Sequence, residues 1–209
     1  GFFHLVTHAM FKACLFLCSG SVIHAMHHSL HHLDDHHTNP QDMANMGGLK
    51  SKMPITYTTM LISTLAISGV PFFSGFLSKD AILAGTLSYY HAHNGWTIFL
   101  PIAGFGAAMV TAFYMFRLIF KTFHGEPNKS EIHDHIHESP IAMTAPLIIL
   151  SVLSLAVVFT LPQINPLDGH GWFTHAVGSG GNVAGLDMDV VNEGIHHAHH
   201  DAMNISLLV

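Results

Sequence analysis

The sequence predicts an all-α fold: a polytopic bundle of transmembrane helices with one helix discontinuous. Three observations carry that prediction. Charged residues make up 10% of the chain, where about 25% is usual for a soluble domain. Hydrophobic residues stand at 49%, an ordinary share, so they must be gathered into blocks. Four such blocks are long enough to cross a hydrocarbon core of about 30 Å, which takes roughly 20 helical residues.

The predicted spans cover residues 2–26, 54–90, 96–123 and 140–161. Polar stretches of unlike character join them: a His/Asp-rich segment 27–52, a short His91-Ala92-His93-Asn94-Gly95 turn, and a Pro/His/Glu segment 124–139. Residues 1–161 are thus read as a transmembrane bundle within a longer domain, and 162–209 as a polar Gly/His-rich connection leading into a further span. The opening Gly1-Phe2-Phe3-His4 has no basic leader, and Ile205-Ser206-Leu207-Leu208-Val209 starts a new apolar run. Both ends therefore read as cuts in a longer polypeptide.

The second span is too long to be one straight helix, since residues 54–90 would extend about 55 Å at 1.5 Å per residue. Gly69-Val70-Pro71 supplies the interruption, because proline lacks a backbone donor and clashes with the preceding turn. Gly75 loosens the chain again, and Ser78 is the expected N-cap of the second half-helix. An unbroken span ending near Leu77 would instead leave Ala81 to Leu87, an apolar run, in an exterior loop.

Lys50, Lys52, Lys121 and Lys129 fall on the two connections that alternating spans place on one side, with Arg117 one turn inside. The positive-inside rule then puts 27–52 and 124–139 in the cytoplasm or its matrix equivalent. Nucleic acid is not an expected partner, because the chain has only seven Lys and Arg and a formal net charge of -6. The lipid bilayer is. Cys14 and Cys18 lie four apart in an apolar run, the spacing of core neighbours on one helical face, and are assigned no site.

His4, His8 and Lys12 recur every four residues in the first span and so share a stripe that drifts by about 40° per step. Lys12 lies about 15 Å along that helix, near mid-membrane. A charged lysine there costs about 2.5–3.5 kcal/mol, and its stem is too short to snorkel out. Packing does not require it, since leucine would fill the same space. Burial favours the neutral form of a lysine and histidine titrates near neutrality, so the stripe offers groups able to exchange protons. Lys79 and Asp80 are expected at the start of the second half-helix, where the helix dipole disfavours a cation and favours an anion. Broken helices at ionisable residues are how ion sites are commonly built in transporters.

The chain has 21 histidines, among them His24, His27, His28, His31, His32, His36 and His37 in one region, His133, His135 and His137 in another, and His196, His197, His199 and His200 in the tail. Imidazole clusters bind zinc, copper or nickel. Here the spacing is irregular and no cysteine joins, so adventitious binding is expected and no metal ligand is assigned.

The run His4-Leu5-Val6-Thr7-His8-Ala9-Met10-Phe11-Lys12-Ala13 resembles the H-L-x-T-H-A-x-F-K-A pattern of the antiporter-like membrane subunits of respiratory complex I. Gly47-Gly48-Leu49 with Met53-Pro54, and Gly69-Val70-Pro71 through Gly75-Phe76-Leu77-Ser78-Lys79-Asp80, are similar to further elements of that family in the same order. Thr111-Ala112-Phe113-Tyr114-Met115-Phe116-Arg117 with Phe123-His124-Gly125-Glu126 resembles the segment that marks the L-type (subunit 5) members. The resemblance covers residues 2–160 and leaves 162–209 unmatched.

It implies a proton-pumping subunit of NADH:quinone oxidoreductase in a bacterial plasma membrane or mitochondrial inner membrane, assembled with other membrane subunits. On that likeness Lys12 matches the family's central lysine, His4 and His8 its connecting histidines, and Lys79-Asp80 its terminal pair at a broken helix. The chain itself would carry no flavin, iron-sulfur cluster, quinone chemistry or other cofactor, and no catalytic residue. The family's earlier Glu-Lys pair would lie upstream of Gly1. The His-rich insert at 27–39 departs from the usual shorter loop. Two other readings are the large subunit of a multisubunit Na+/H+ antiporter, which shares the H-A-x-F-K and G-G-L elements, and a His-rich membrane metal-binding protein.

Overall fold

In the computed structural model, residues 2–93, 95–162, 171–173, 176 and 201–205 are described. Their regular elements are helices: α1 (Phe2–His32), α2 (Pro54–Ser68), α3 (Ser74–His93), α4 (Phe99–Phe123), α5 (Ser130–Asp134), α6 (Ile141–Leu153) and α7 (Ala156–Thr160), with 3-10 turns at Met43–Asn45 and Gly95–Ile98. The all-α prediction holds. By length and composition, Phe2–His32 and Gly95–Phe123 are each long and apolar enough to cross a bilayer. The chain forms two compact units, Ala9–Leu65 with Phe113–Ser154, and Gly1–His8 with Ala66–Ala112 and Leu155–Val209.

In the unit that contains Ala9–Leu65, α1 buries a seam of small residues, Cys14, Cys18, Ser21, Ala25 and Ser29. Their spacing of three or four residues keeps them on one face, and their size lets neighbouring backbones approach closely. The Cys14 thiol lies 3.5 Å from the Leu147 carbonyl of α6, and Cys18 Sγ lies 3.4 Å from Thr59 Oγ1 of α2. α1 runs six residues past the expected end because Ser29 is buried, donating to the Ile132 carbonyl at 2.6 Å. It stops where Asp34 turns left-handed at φ 55°. Asp34 and Asp35 then donate back to His31 and Leu30, closing the last carbonyls.

The connections 33–53 and 124–140 are bonded to each other. Gly48 and Lys50 donate to the carbonyls of His124 and Phe123, Lys129 Nζ to Thr38 Oγ1 at 2.6 Å, and Asn128 to the Ala44 carbonyl at 2.6 Å. Gly47 allows this closeness, since a Cβ there would stand 2.6 Å from the Glu126 carbonyl oxygen. The Gly-Gly-Leu and Phe-His-Gly-Glu runs, far apart in sequence, are thus two halves of one contact.

In the other unit the chain breaks between α2 and α3. Gly69 has φ +80°, Pro71 follows, and Phe73 N–H donates to the Val70 carbonyl. Phe72 sits at φ 78°, in the third position of a type II turn that glycine normally fills. The interruption is where the sequence places it, but the second half-helix starts at Ser74, not beyond Ser78. Ser78 is therefore not an N-cap; it lies in the second turn of α3. The physical reason is a partner the sequence does not reveal: Phe73 bridges Leu155, and Ala156 N–H donates to the Phe72 carbonyl at 3.0 Å.

That pairing also produces a second interruption, which the sequence does not predict. The span expected over 140–161 divides at Ser154-Leu155, with Leu155 extended at φ -81°, ψ 140°. Around the two breaks, Phe76, Leu77 and Ala156 form a core joined by Phe3 and Met203. Leu83, Ala84, Leu87 and Ala202 form another with Phe105 against it. The outer side of α4 in this unit, Phe99, Ile102, Met109 and Val110, is exposed and has the apolar character a lipid contact requires.

Candidate functional site

In the unit that holds the breaks, the first turns of α1 lie against the start of α3. Thr7, fully buried, donates to Ser78 Oγ at 2.9 Å, and Ser78 Oγ is 3.0 Å from His4 Nδ1. His4 and His8 follow one another on α1 with ring centroids 5.6 Å apart. Hydroxyls are donors and acceptors at once, so Thr7, Ser78 and His4 form a chain that can hand a proton along. Sequence reasoning missed Thr7 and gave Ser78 a backbone role. The signal was there for Thr7, one turn from His4 on the same face; Ser78 needed the tertiary contact.

Lys79 and Asp80 follow Ser78 directly. Asp80 is 2% exposed and Lys79 half-buried. The expected dipole argument needs correction, because these residues are in the second turn of α3 and past its free N–H groups. Lys79 instead reaches back across the break, its stem along Gly69 and its Nζ donating to the Ile67 carbonyl at 3.4 Å. Ile67 is in the last turn of α2, where carbonyls lack intrahelical partners and carry the negative end of the dipole. The break thus makes a cation site from the end of one half-helix and a side chain of the next. A cleft of about 30 Å³, lined in part by Ser68, Gly69, Lys79, Asp80 and Phe105, opens beside it, roomy enough for a water.

Lys12 belongs to the other unit. It is half-buried on the flank of the α1 seam, with Nζ 5.9 Å from the centroid of the Phe16 ring. That is the reach of a cation–π contact, which can partly offset the cost of a charge in an apolar setting. α1 is continuous from Phe2 to His32, so Lys12, His8 and His4 stand on one unbroken helix. The tail histidines His196, His197, His199 and His200 lie outside the described residues.

The family model for the NADH:quinone oxidoreductase/Mrp antiporter transmembrane region matches residues 1–111. NADH-quinone oxidoreductase subunit L of Rhodobacter capsulatus is 49% identical over 165 residues, 73% of this chain and 21% of the relative. NAD(P)H-quinone oxidoreductase chain 5 of a Picosynechococcus species is 45% identical over 176 residues, 75% of this chain and 25% of the relative. NADH-ubiquinone oxidoreductase chain 5 of Allomyces macrogynus is 41% identical over 157 residues, 75% and 22% respectively. The chain spans about a fifth to a quarter of the length of these curated relatives. The family match takes in more than half of the sequence, from the lysine-bearing first helix through the broken second span, and on that ground the chain belongs to the NADH:quinone oxidoreductase/Mrp antiporter transmembrane family.

Proposed function

We propose that this chain is a proton-translocating stretch of an L-type subunit of NADH:quinone oxidoreductase, in which Lys12, His8, His4, Lys79 and Asp80 carry the proton. The observation that carries the reading is the His4–Ser78 contact. It joins the histidine stripe of α1 to the residue preceding Lys79-Asp80, so titratable groups on two helices meet through a hydroxyl. Lys79 holds a proton against the Ile67 carbonyl, and the adjacent cleft gives a water access to it. Redox chemistry belongs to other subunits of the complex; this chain moves charge in response and holds no cofactor of its own. Its partners are the neighbouring membrane subunits and lipid. The Na+/H+ antiporter reading is less favoured, because the curated relatives compared above are named as quinone oxidoreductase subunits.

The test is Lys12→Met in the full-length protein within its complex. Methionine keeps the aliphatic bulk and removes the amine, so the complex is expected to assemble in normal amounts while proton pumping and the electron transfer coupled to it fall sharply. Lys12→Arg is expected to fail as well, because a guanidinium does not release its proton. Removing a structural cation from an apolar site would instead be neutral or stabilising. A Lys12→Met complex that assembles and pumps at the parent rate refutes the relay.

A further inference from the structure

We propose that His28 and His137, with His32 as a third ligand, form a surface site for a divalent transition metal ion of the zinc class. The sequence separates these histidines by more than a hundred residues, and the fold of one unit brings them together. His28 and His32 are one turn apart on α1, their rings 5.6 Å apart. His137 faces His28 at 5.2 Å, and His135 stacks on His32 at 5.7 Å. With a Zn–N distance of about 2.0–2.1 Å and a tetrahedral angle, two ligating rings have centroids about 5.3 Å apart. The His28–His137 pair, on two different elements, has that separation.

The segment that carries His137 is held in place on both sides. Ser29, next to His28, donates to the Ile132 carbonyl, Ile136 is buried between the two histidines, and Glu138 is bound at the start of α2. His137 Nδ1 lies 3.2 Å from the Glu138 carbonyl, an acceptor only, so this contact suits the tautomer with hydrogen on Nδ1 and turns Nε2 to the metal. A backbone carbonyl orienting the far nitrogen is a usual support of a ligating histidine. All four histidines are exposed, so an ion can reach them from solvent. Among the described residues no three His, Cys, Asp or Glu side chains already converge as a ligand set. His32 therefore joins by rotating its side chain, and water completes the shell. Bound there, the ion ties the end of α1 to the segment leading into α6.

The experiment is equilibrium dialysis of the full-length protein, purified in its complex, against Zn2+ alone. Parent, His28→Gln, His137→Gln and a control His36→Gln/His37→Gln are compared, with thermal melting to check the fold. Each of the first two variants is expected to lose one bound Zn2+ per chain, the control none. His28→Cys, which keeps a ligand, is expected to retain the ion. Zinc binding unchanged in both single variants, or reduced as much by the control, overturns the site in favour of diffuse binding by the His-rich loops. Loss in His28→Cys equal to that in His28→Gln overturns it as well.

Discussion

The start of α2 shows how one side chain far along the chain can decide a helix. Pro54 opens the helix and has no N–H to satisfy, and the residue before it, Met53, has no side-chain oxygen to cap the next donors. Glu138 does so from outside: its Oε2 accepts from Ile55 N at 2.8 Å and Thr56 N at 3.2 Å, and its Oε1 from the Thr56 hydroxyl at 2.6 Å. Ser139 N donates to the same carboxylate at 3.2 Å. Ser21 lies 3.0 Å from Thr56 Oγ1 and 2.6 Å from Ser139 Oγ, so the carboxylate anchors a buried hydroxyl cluster that joins α1 to α2. Glu138→Ala removes a helix cap, worth about 0.5–2 kcal/mol. It also removes a charge-assisted bond to a buried hydroxyl, worth about 1.5–3 kcal/mol. The carboxylate is only half-buried and the two losses overlap, so about 2–3 kcal/mol is expected. Glu138→Gln keeps one oxygen for the Ile55 and Thr56 N–H groups, but its NH2 cannot accept from Ser139 N–H, so it loses that bond as well as the charge at the helix N-terminus, about 1–2 kcal/mol in all. The assay is thermal unfolding of the full-length protein in detergent. The expected order is parent, then Gln, then Ala. An Ala variant as stable as the parent, or a Gln variant that falls as far as Ala, refutes the capping argument.

Three further outcomes follow from particular contacts. Phe72 occupies a left-handed position that costs a bulky residue about 1–2 kcal/mol, so Phe72→Gly is expected to raise the melting temperature modestly unless its exposed ring has a partner in the assembled complex; a fall in the isolated protein contradicts the strain argument. Asp35 is held down at about 2 by the Thr38 hydroxyl, the backbone N–H groups of His37 and Thr38, and the nearby Lys129 ammonium. A lowered value means that its hold on the loop is fully present above the ordinary aspartate pKa and is lost as pH falls through about 2. Carboxyl-carbon NMR of labelled protein checks this, and a midpoint at the ordinary value sinks it. Cys14 and Cys18 are 0% exposed, so a maleimide is expected to label them only after denaturation; prompt labelling of the folded protein contradicts their burial in the α1 seam.

Much of the fold was legible in the sequence because bilayer thickness, backbone hydrogen bonding and helical periodicity act locally. Apolar runs of spanning length must be helices, since lipid offers no other partner for their N–H and C=O groups. A run too long for the bilayer must break, and Gly69-Val70-Pro71 marks where. A lysine in mid-span with histidines every fourth residue is equally visible, because side chains on one helix face follow from spacing alone. What the tertiary structure decided are pairings between positions that no local rule connects. Phe73 with Leu155 sets the start of α3 at Ser74, makes the second break at Ser154-Leu155, and moves Lys79 from a helix start to the carbonyl end of α2. Ser78 with His4, Glu138 with α2, and His28 with His137 have the same origin. In each case the energy depends on which groups packing brings within about 3 Å of one another for a hydrogen bond, or somewhat farther for two rings. That choice is made by the whole bundle and not by any segment within it.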